Sequence, residues 1–124
     1  MAITHADSIR NTLCDTVVDA VDDGSTDSQG DLVILEGSTE LVEIELEDPA
    51  FGDASGGTAD LNGSPQGTVT ADGDADTFEF RDKDNDLVFD GEVAESGSDL
   101  NISSTSLSVD DKVEISSFSY SAPN

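Results

Sequence analysis

The residues whose types and spacing could do chemistry are six aspartates in two alternating clusters, Asp72, Asp74, Asp76 and Asp82, Asp84, Asp86. Calcium prefers carboxylate oxygens, and the second cluster has the spacing of positions 1, 3 and 5 of an EF-hand loop. That loop also needs a glycine at its sixth position and a glutamate at its twelfth, where this chain has Leu87 and Val93. The clusters are therefore candidate sites for Ca²⁺ or another cation, with solvated turns as the alternative, and they could lie close together across Phe78–Phe80.

Catalytic constellations are missing from the sequence. His5 is the only histidine and leaves no convincing Ser/His/Asp set, and Cys14 has the surroundings of a small core residue. No glycine-rich phosphate loop follows a strand. We predict that the protein is not an enzyme and has no cofactor.

The charge balance restricts the partners of the protein. The chain has 29 acidic residues against 4 basic ones, a net charge of −25. No basic patch is available to neutralise phosphates or anionic lipids, so nucleic acid and membrane surfaces are excluded as partners. The sequence shows no membrane span and no visible export signal.

Such acidity is typical either of disorder or of a folded protein that works in concentrated salt. The acids alternate with apolar residues, as in Val42-Glu43-Ile44-Glu45-Leu46-Glu47, and do not form blocks. Because disordered segments rarely show such a pattern, we expect a folded, salt-adapted protein.

A helix is predicted over residues 5–22, where apolar residues recur at helical spacing. The predicted apolar stripe consists of Ile9, Leu13, Val17 and Val21, widened by Cys14, Val18 and Ala20. Gly24 follows as a plausible stop signal.

Short alternating segments dominate the rest of the chain. About eight strands at intervals of roughly 8–12 residues are typical of an antiparallel β-sandwich, and we expect a jelly-roll-like one. We therefore predict a mainly β single domain over 1–124, with the β-sandwich in 31–120 and the helix laid against it.

The segment 50–75 is rich in Gly, Ser, Ala and Asp and reads as a long, loop-rich surface excursion. Long loops in compact domains are often functional, so this segment is the candidate partner contact, with a mobile connector as the alternative. The candidate contact residues are Phe51, Asp53, Asn62 and Pro65.

Whole segments of the chain resemble a family of small structural proteins of tailed viruses, of the capsid decoration or cement type. The similarity runs through VVDAVDDGS, LVILEGS, EDPAFGDASGGTADLNG and DADTFEFRDKDNDLVFDGEV, and it is most distinctive in SDLNISSTSLS and VEISSFSYS. Residues 22–30 lack family character. The acid content exceeds that expected of the family, which fits a virus of a halophilic archaeal host.

The resemblance implies a virion protein that is made in the host cytoplasm and assembles as a dimer or trimer on the capsid surface. Its partner there would be the major capsid protein, and bridging of capsomers would stabilise the shell without any chemistry. The alternatives are a tail, baseplate or fibre protein, and a calcium- or carbohydrate-binding adhesion sandwich. The last would need exposed aromatic rings, for which Phe51 and Tyr120 are the candidates.

Overall fold

The computed structural model describes residues 6–26, 29–47, 50–95, 97, 100–102, 104–115 and 117–121. Within them lie one helix and eleven strands: α1 Asp7–Ala20, β1 Asp31–Glu36, β2 Thr39–Glu45, β3 Thr58–Asp60, β4 Gln66–Thr68, β5 Gly73–Asp74, β6 Thr77–Arg81, β7 Leu87–Ala94, β8 Leu100–Asn101, β9 Ser106–Leu107, β10 Lys112–Glu114 and β11 Ser119–Ser121. His5 lies outside the described residues. The predicted fold class is confirmed: the protein is mainly β, with one N-terminal helix.

The largest sheet has five strands in the order β2-β1-β6-β7-β8. All its pairs are antiparallel except β7–β8, which is parallel. The alternation in the sequence places Leu32, Ile34, Phe78 and Phe80 on one face, where all four are buried. Burial of these side chains against the aromatic rings of the C-terminal strands forms the centre of the core.

The segment 50–75 contains three strands, each paired with a strand near the C-terminus. The pairs are β3–β11, β5–β9 and β4–β10, and they bring the strand count to eleven in place of about eight. An isolated bridge between Val42 and Val69 attaches this region to β2. The excursion expected from the sequence is thus a second set of short strands, each held by a strand near the C-terminus.

The helix packs on β3 and β11 through a narrower stripe than the sequence predicts. Cys14, Val18 and Val21 are buried, whereas Ile9 and Leu13 are 49% and 39% exposed. The helix ends earlier than predicted, at Ala20, and Gly24 takes a φ of 109° in the following turn. Because only one row of the helix faces the sheet, the Ile9–Leu13 row remains on the surface. No helix in the described part of the chain has the length and apolarity to cross a membrane.

Candidate functional site

The turn between β6 and β7 uses its aspartates as acceptors for backbone amides. The Asp82 Oδ1 accepts hydrogen bonds from the N–H groups of Asp84 at 2.9 Å and Asp86 at 3.0 Å. The Asp84 Oδ1 accepts from the N–H groups of Ser25 at 3.0 Å and Thr26 at 3.1 Å, and from the Thr26 hydroxyl at 2.9 Å. The Ser25 N–H and both Thr26 donors hold the pKa of Asp84 below its usual value, since they favour the ionised form. This carboxylate therefore ties the turn to the segment that follows α1.

The other cluster also holds backbone in place. The Asp72 Oδ1 accepts from the Val109 N–H at 2.7 Å, and the Asp76 carboxylate accepts from the Gly37 N–H at 3.1 Å. The Asp74 N–H donates to the Glu36 Oε2 at 3.2 Å. Charge-assisted bonds of this kind satisfy loop amides that no strand pairs.

The two clusters do not lie together, which corrects the expectation from the sequence. Asp76 directly precedes β6 and Asp82 directly follows it. At about 3.3 Å per residue, a strand of this length separates its ends by roughly 20 Å. No group of three or more His, Cys, Asp or Glu in the described ranges is arranged to hold a metal ion.

Calcium is expected to leave the melting temperature unchanged, because the described residues bring no three carboxylates together around an ion and the Oδ1 atoms of Asp82 and Asp84 already accept amide hydrogen bonds. A site with a Kd 100-fold below the calcium concentration would add about 2.7 kcal/mol, or roughly 10 °C. The measurement is thermal unfolding with millimolar CaCl₂ or with a chelator, at ionic strength matched with NaCl. A rise of that size, reversed by chelation, would contradict this expectation.

Acidification is expected to remove the contribution of Asp84 to stability. Its pKa is lower in the folded state, so the contribution is complete above the unfolded-state value of about 3.9. It is lost as the pH falls through the folded-state pKa. Urea unfolding of the wild type and of Asp84→Ala should therefore differ at pH 7 and converge at low pH. Asp86→Ala, in the same exposed turn, is the matched control: it removes a carboxylate other than the one that binds Ser25 and Thr26, so it should differ less from the wild type at pH 7.

Two of the predicted contact residues lie in the interior. Phe51 is 5% exposed, with its ring centroid 5.5 Å from that of Phe80 and 6.0 Å from that of Phe118. Pro65 is also buried, and its carbonyl accepts from the Ile115 N–H at 3.0 Å. Neither side chain is open to a partner in this conformation, because the strands of the segment 50–75 turn both inward.

The other two predicted contact residues are nearer the surface. Asp53 is exposed and Asn62 is half-buried. For them the partner contact stays a prediction.

The polar side of α1 anchors the same segment. The Asn11 Oδ1 accepts from the Gly57 N–H at 2.7 Å, the Asp15 Oδ1 from the Ala54 N–H at 2.9 Å, and the Asp22 Oδ1 from the Ala50 N–H at 3.0 Å. Two residues of α1, together with Asp22 just beyond its C-terminal end, therefore fix the loop that precedes β3.

A groove of about 370 Å³ lies between β7 and β11, and sequence reasoning did not identify it. Its lining residues are Phe78, Phe89, Asp90, Phe118, Ser119, Tyr120 and Ser121. Phe89 and Tyr120 are only half-buried, with ring centroids 5.0 Å apart. The alternation in the sequence indicates that both rings face inward. It does not indicate that β7, which carries Phe89, and β11, which carries Tyr120, leave a gap between them.

Comparison of the chain with protein-family models, with curated proteins and with solved structures found no match.

Proposed function

We propose that the protein is a non-enzymatic structural component of a virion, a decoration or cement protein on the outer capsid surface. It binds the major capsid protein, bridges neighbouring capsomers and so stabilises the shell. The proposal starts from the resemblance of its segments to small structural proteins of tailed viruses. It includes synthesis in the cytoplasm of a halophilic archaeal host.

The observation that carries the proposal is the use of the acidic turns. The carboxylates of Asp72, Asp76 and Asp84 bind backbone amides of neighbouring segments, and that of Asp82 binds amides of its own turn. Side chains that could have served chemistry are thus committed to holding a small β-scaffold together. A scaffold held together in this way suits a protein that acts through a large contact area and in many copies.

The exposed row of α1 supports self-association as a dimer or trimer. Ile9 and Leu13 lie one helical turn apart on the outer side of the helix. In a chain with so many acids, an apolar row of this kind is a place where copies can meet without like-charge repulsion.

The deciding experiment is the copy number per major capsid protein in purified virions, by quantitative mass spectrometry. Symmetric oligomers spread over the shell would give a ratio of roughly one-third to one. A few copies per particle would instead place the protein in a tail, baseplate or fibre.

Absence from the particle would reject a virion role. A calcium- or carbohydrate-binding adhesion protein would then remain, for which the half-buried rings of Phe89 and Tyr120 are the relevant feature.

A further inference from the structure

Asp90, on the outer edge of β7, lies beside the groove. The Val93 N–H donates to the Asp76 carbonyl at 3.0 Å, and the register places Gly91 opposite Phe78 and Asp90 opposite Glu79. Backbone groups alternate in direction along an antiparallel strand, so those of Gly91 point to β6 and those of Asp90 point away. Among the described residues the backbone of Asp90 has no hydrogen-bond partner, because β8 pairs with β7 only from Val93 onward.

On β11, the backbone groups at the edge that faces the groove also have no hydrogen-bond partner among the described residues. The Leu61 N–H donates to the Phe118 carbonyl at 2.8 Å, and Tyr120 lies opposite Ala59. The same alternation turns the backbone groups of Ser119 and Ser121 away from β3. The hydroxyls of these serines bond to side chains of β3, so they do not satisfy this backbone edge.

Aromatic rings form the floor between the two edges. The ring centroid of Phe89 lies 5.0 Å from that of Tyr120 and 6.2 Å from that of Phe118. The groove therefore combines donors and acceptors on both sides with an apolar floor. An added β-strand uses these elements: main-chain bonds at its edges and pockets for alternate side chains.

We propose that this groove binds an extended segment of a partner protein as an additional strand between β7 and β11. The segment alternates apolar side chains, which lie on the rings, with basic or neutral side chains, which face solvent. The charge selects this occupant, because Asp90 is exposed at the β7 edge of the groove and the chain carries a net charge of −25. A strand from a second copy would bring the same excess of negative charge. Identification of the partner with the capsid shell protein rests on the proposed function.

The test uses the purified protein and a blocked peptide of about six residues that alternates lysine and valine, a typical strand length. Tyr120 is the only tyrosine and the chain has no tryptophan, so intrinsic fluorescence reports on the floor of the groove alone. Binding is measured at about 1 M salt, where the Debye length of about 3 Å suppresses non-specific attraction to the acidic surface. The control peptide has the same sequence with alternate amides N-methylated.

The expected result is saturable binding of the first peptide with a change in tyrosine fluorescence, and loss of binding on N-methylation. Asp90→Pro removes the N–H group that points away from β6. Asp90 and Glu79 form a non-hydrogen-bonded cross-strand pair, so the hydrogen bonds between β6 and β7 should stay intact. We expect this variant to weaken binding about tenfold. Asp90→Asn, which loses the same charge but keeps the N–H, should bind within about threefold of the wild type.

Equal binding of the two peptides, or no binding of either, would overturn the proposal. The peptide comparison on the wild type decides the matter even if Asp90→Pro does not fold. A wild-type dimer in sedimentation that Asp90→Pro converts to monomer would assign the groove to a second copy and reject a foreign partner.

This test is independent of the virion count. Peptide binding by a protein absent from virions would reject only the capsid role. If the protein is abundant on virions but does not bind the peptide, only the proposed binding role of the groove is rejected.

Discussion

Lowering the NaCl concentration from about 2 M to about 0.1 M is expected to lower the melting temperature by roughly 10–20 °C, because the Debye length grows from below about 3 Å to about 10 Å. The net charge of −25 then repels itself over the whole surface. The effect should be continuous with ionic strength and reversible on adding salt.

One pair of acidic residues lies directly cross-strand on a face of the five-stranded sheet. Asp31 of β1 lies directly opposite Glu45 of β2, and like charges in this position destabilise a strand pair. Glu43, the neighbour of Glu45 on the same face, lies opposite the apolar Val33. The same face therefore holds one glutamate in a repulsive cross-strand pair and one without such a pair.

These two positions provide a matched comparison. Glu45→Gln should reduce the dependence of the melting temperature on salt more than Glu43→Gln does, although both remove one negative charge. The measurement is thermal unfolding of the three proteins at a series of NaCl concentrations. A wild type that melts at the same temperature at about 0.1 M and about 2 M salt would end the salt-adaptation hypothesis.

The sequence predicted those parts of the fold that short-range alternation controls. Val42, Ile44 and Leu46 alternate with glutamates, and all three are buried on one face, as their period of two requires. The helix was predicted for the same kind of reason, since its apolar residues repeat at helical spacing. Periodicity does not say how much of an apolar row a neighbouring element covers, and for this reason Ile9 and Leu13 were assigned to the core although they are exposed.

The candidate site depended on contacts between distant parts of the chain. The carboxylate of Asp84 binds the backbone of Thr26, 58 positions away, and the helix residue Asp15 binds Ala54. The sequence alone does not distinguish an aspartate that accepts a hydrogen bond from a backbone amide from one that binds a cation or faces water. Phe51 was a candidate partner contact because it lies in the loop-rich segment 50–75, but the pairing of β3 with β11 draws it into the core.

Arg81→Gln is expected to destabilise the protein by about 2 kcal/mol, or roughly 10 °C in melting temperature. The Arg81 guanidinium is bonded to the Glu79 carboxylate at 2.7 Å and lies 3.5 Å from that of Glu40, and its side chain is only 12% exposed. Burial lowers the pKa of Arg81, but the hydrogen bonds and charges of the two glutamates outweigh it and raise the pKa. Asp31 is the cross-strand neighbour of Arg81, so one cation faces three carboxylates on this face.

Lys112→Gln is the matched control, since it removes the same charge from an exposed site. The Lys112 Nζ donates to the Thr68 hydroxyl at 2.8 Å, and loss of this surface contact should cost less than about 0.5 kcal/mol. Urea unfolding of both variants at high and low salt separates the local role of Arg81 from the change in net charge. The cost of Arg81→Gln should grow as salt is removed, because the three carboxylates then repel one another without a cation between them. Equal costs for the two variants would mean that net charge alone matters and that the position of Arg81 on β6, beside the three carboxylates, does not.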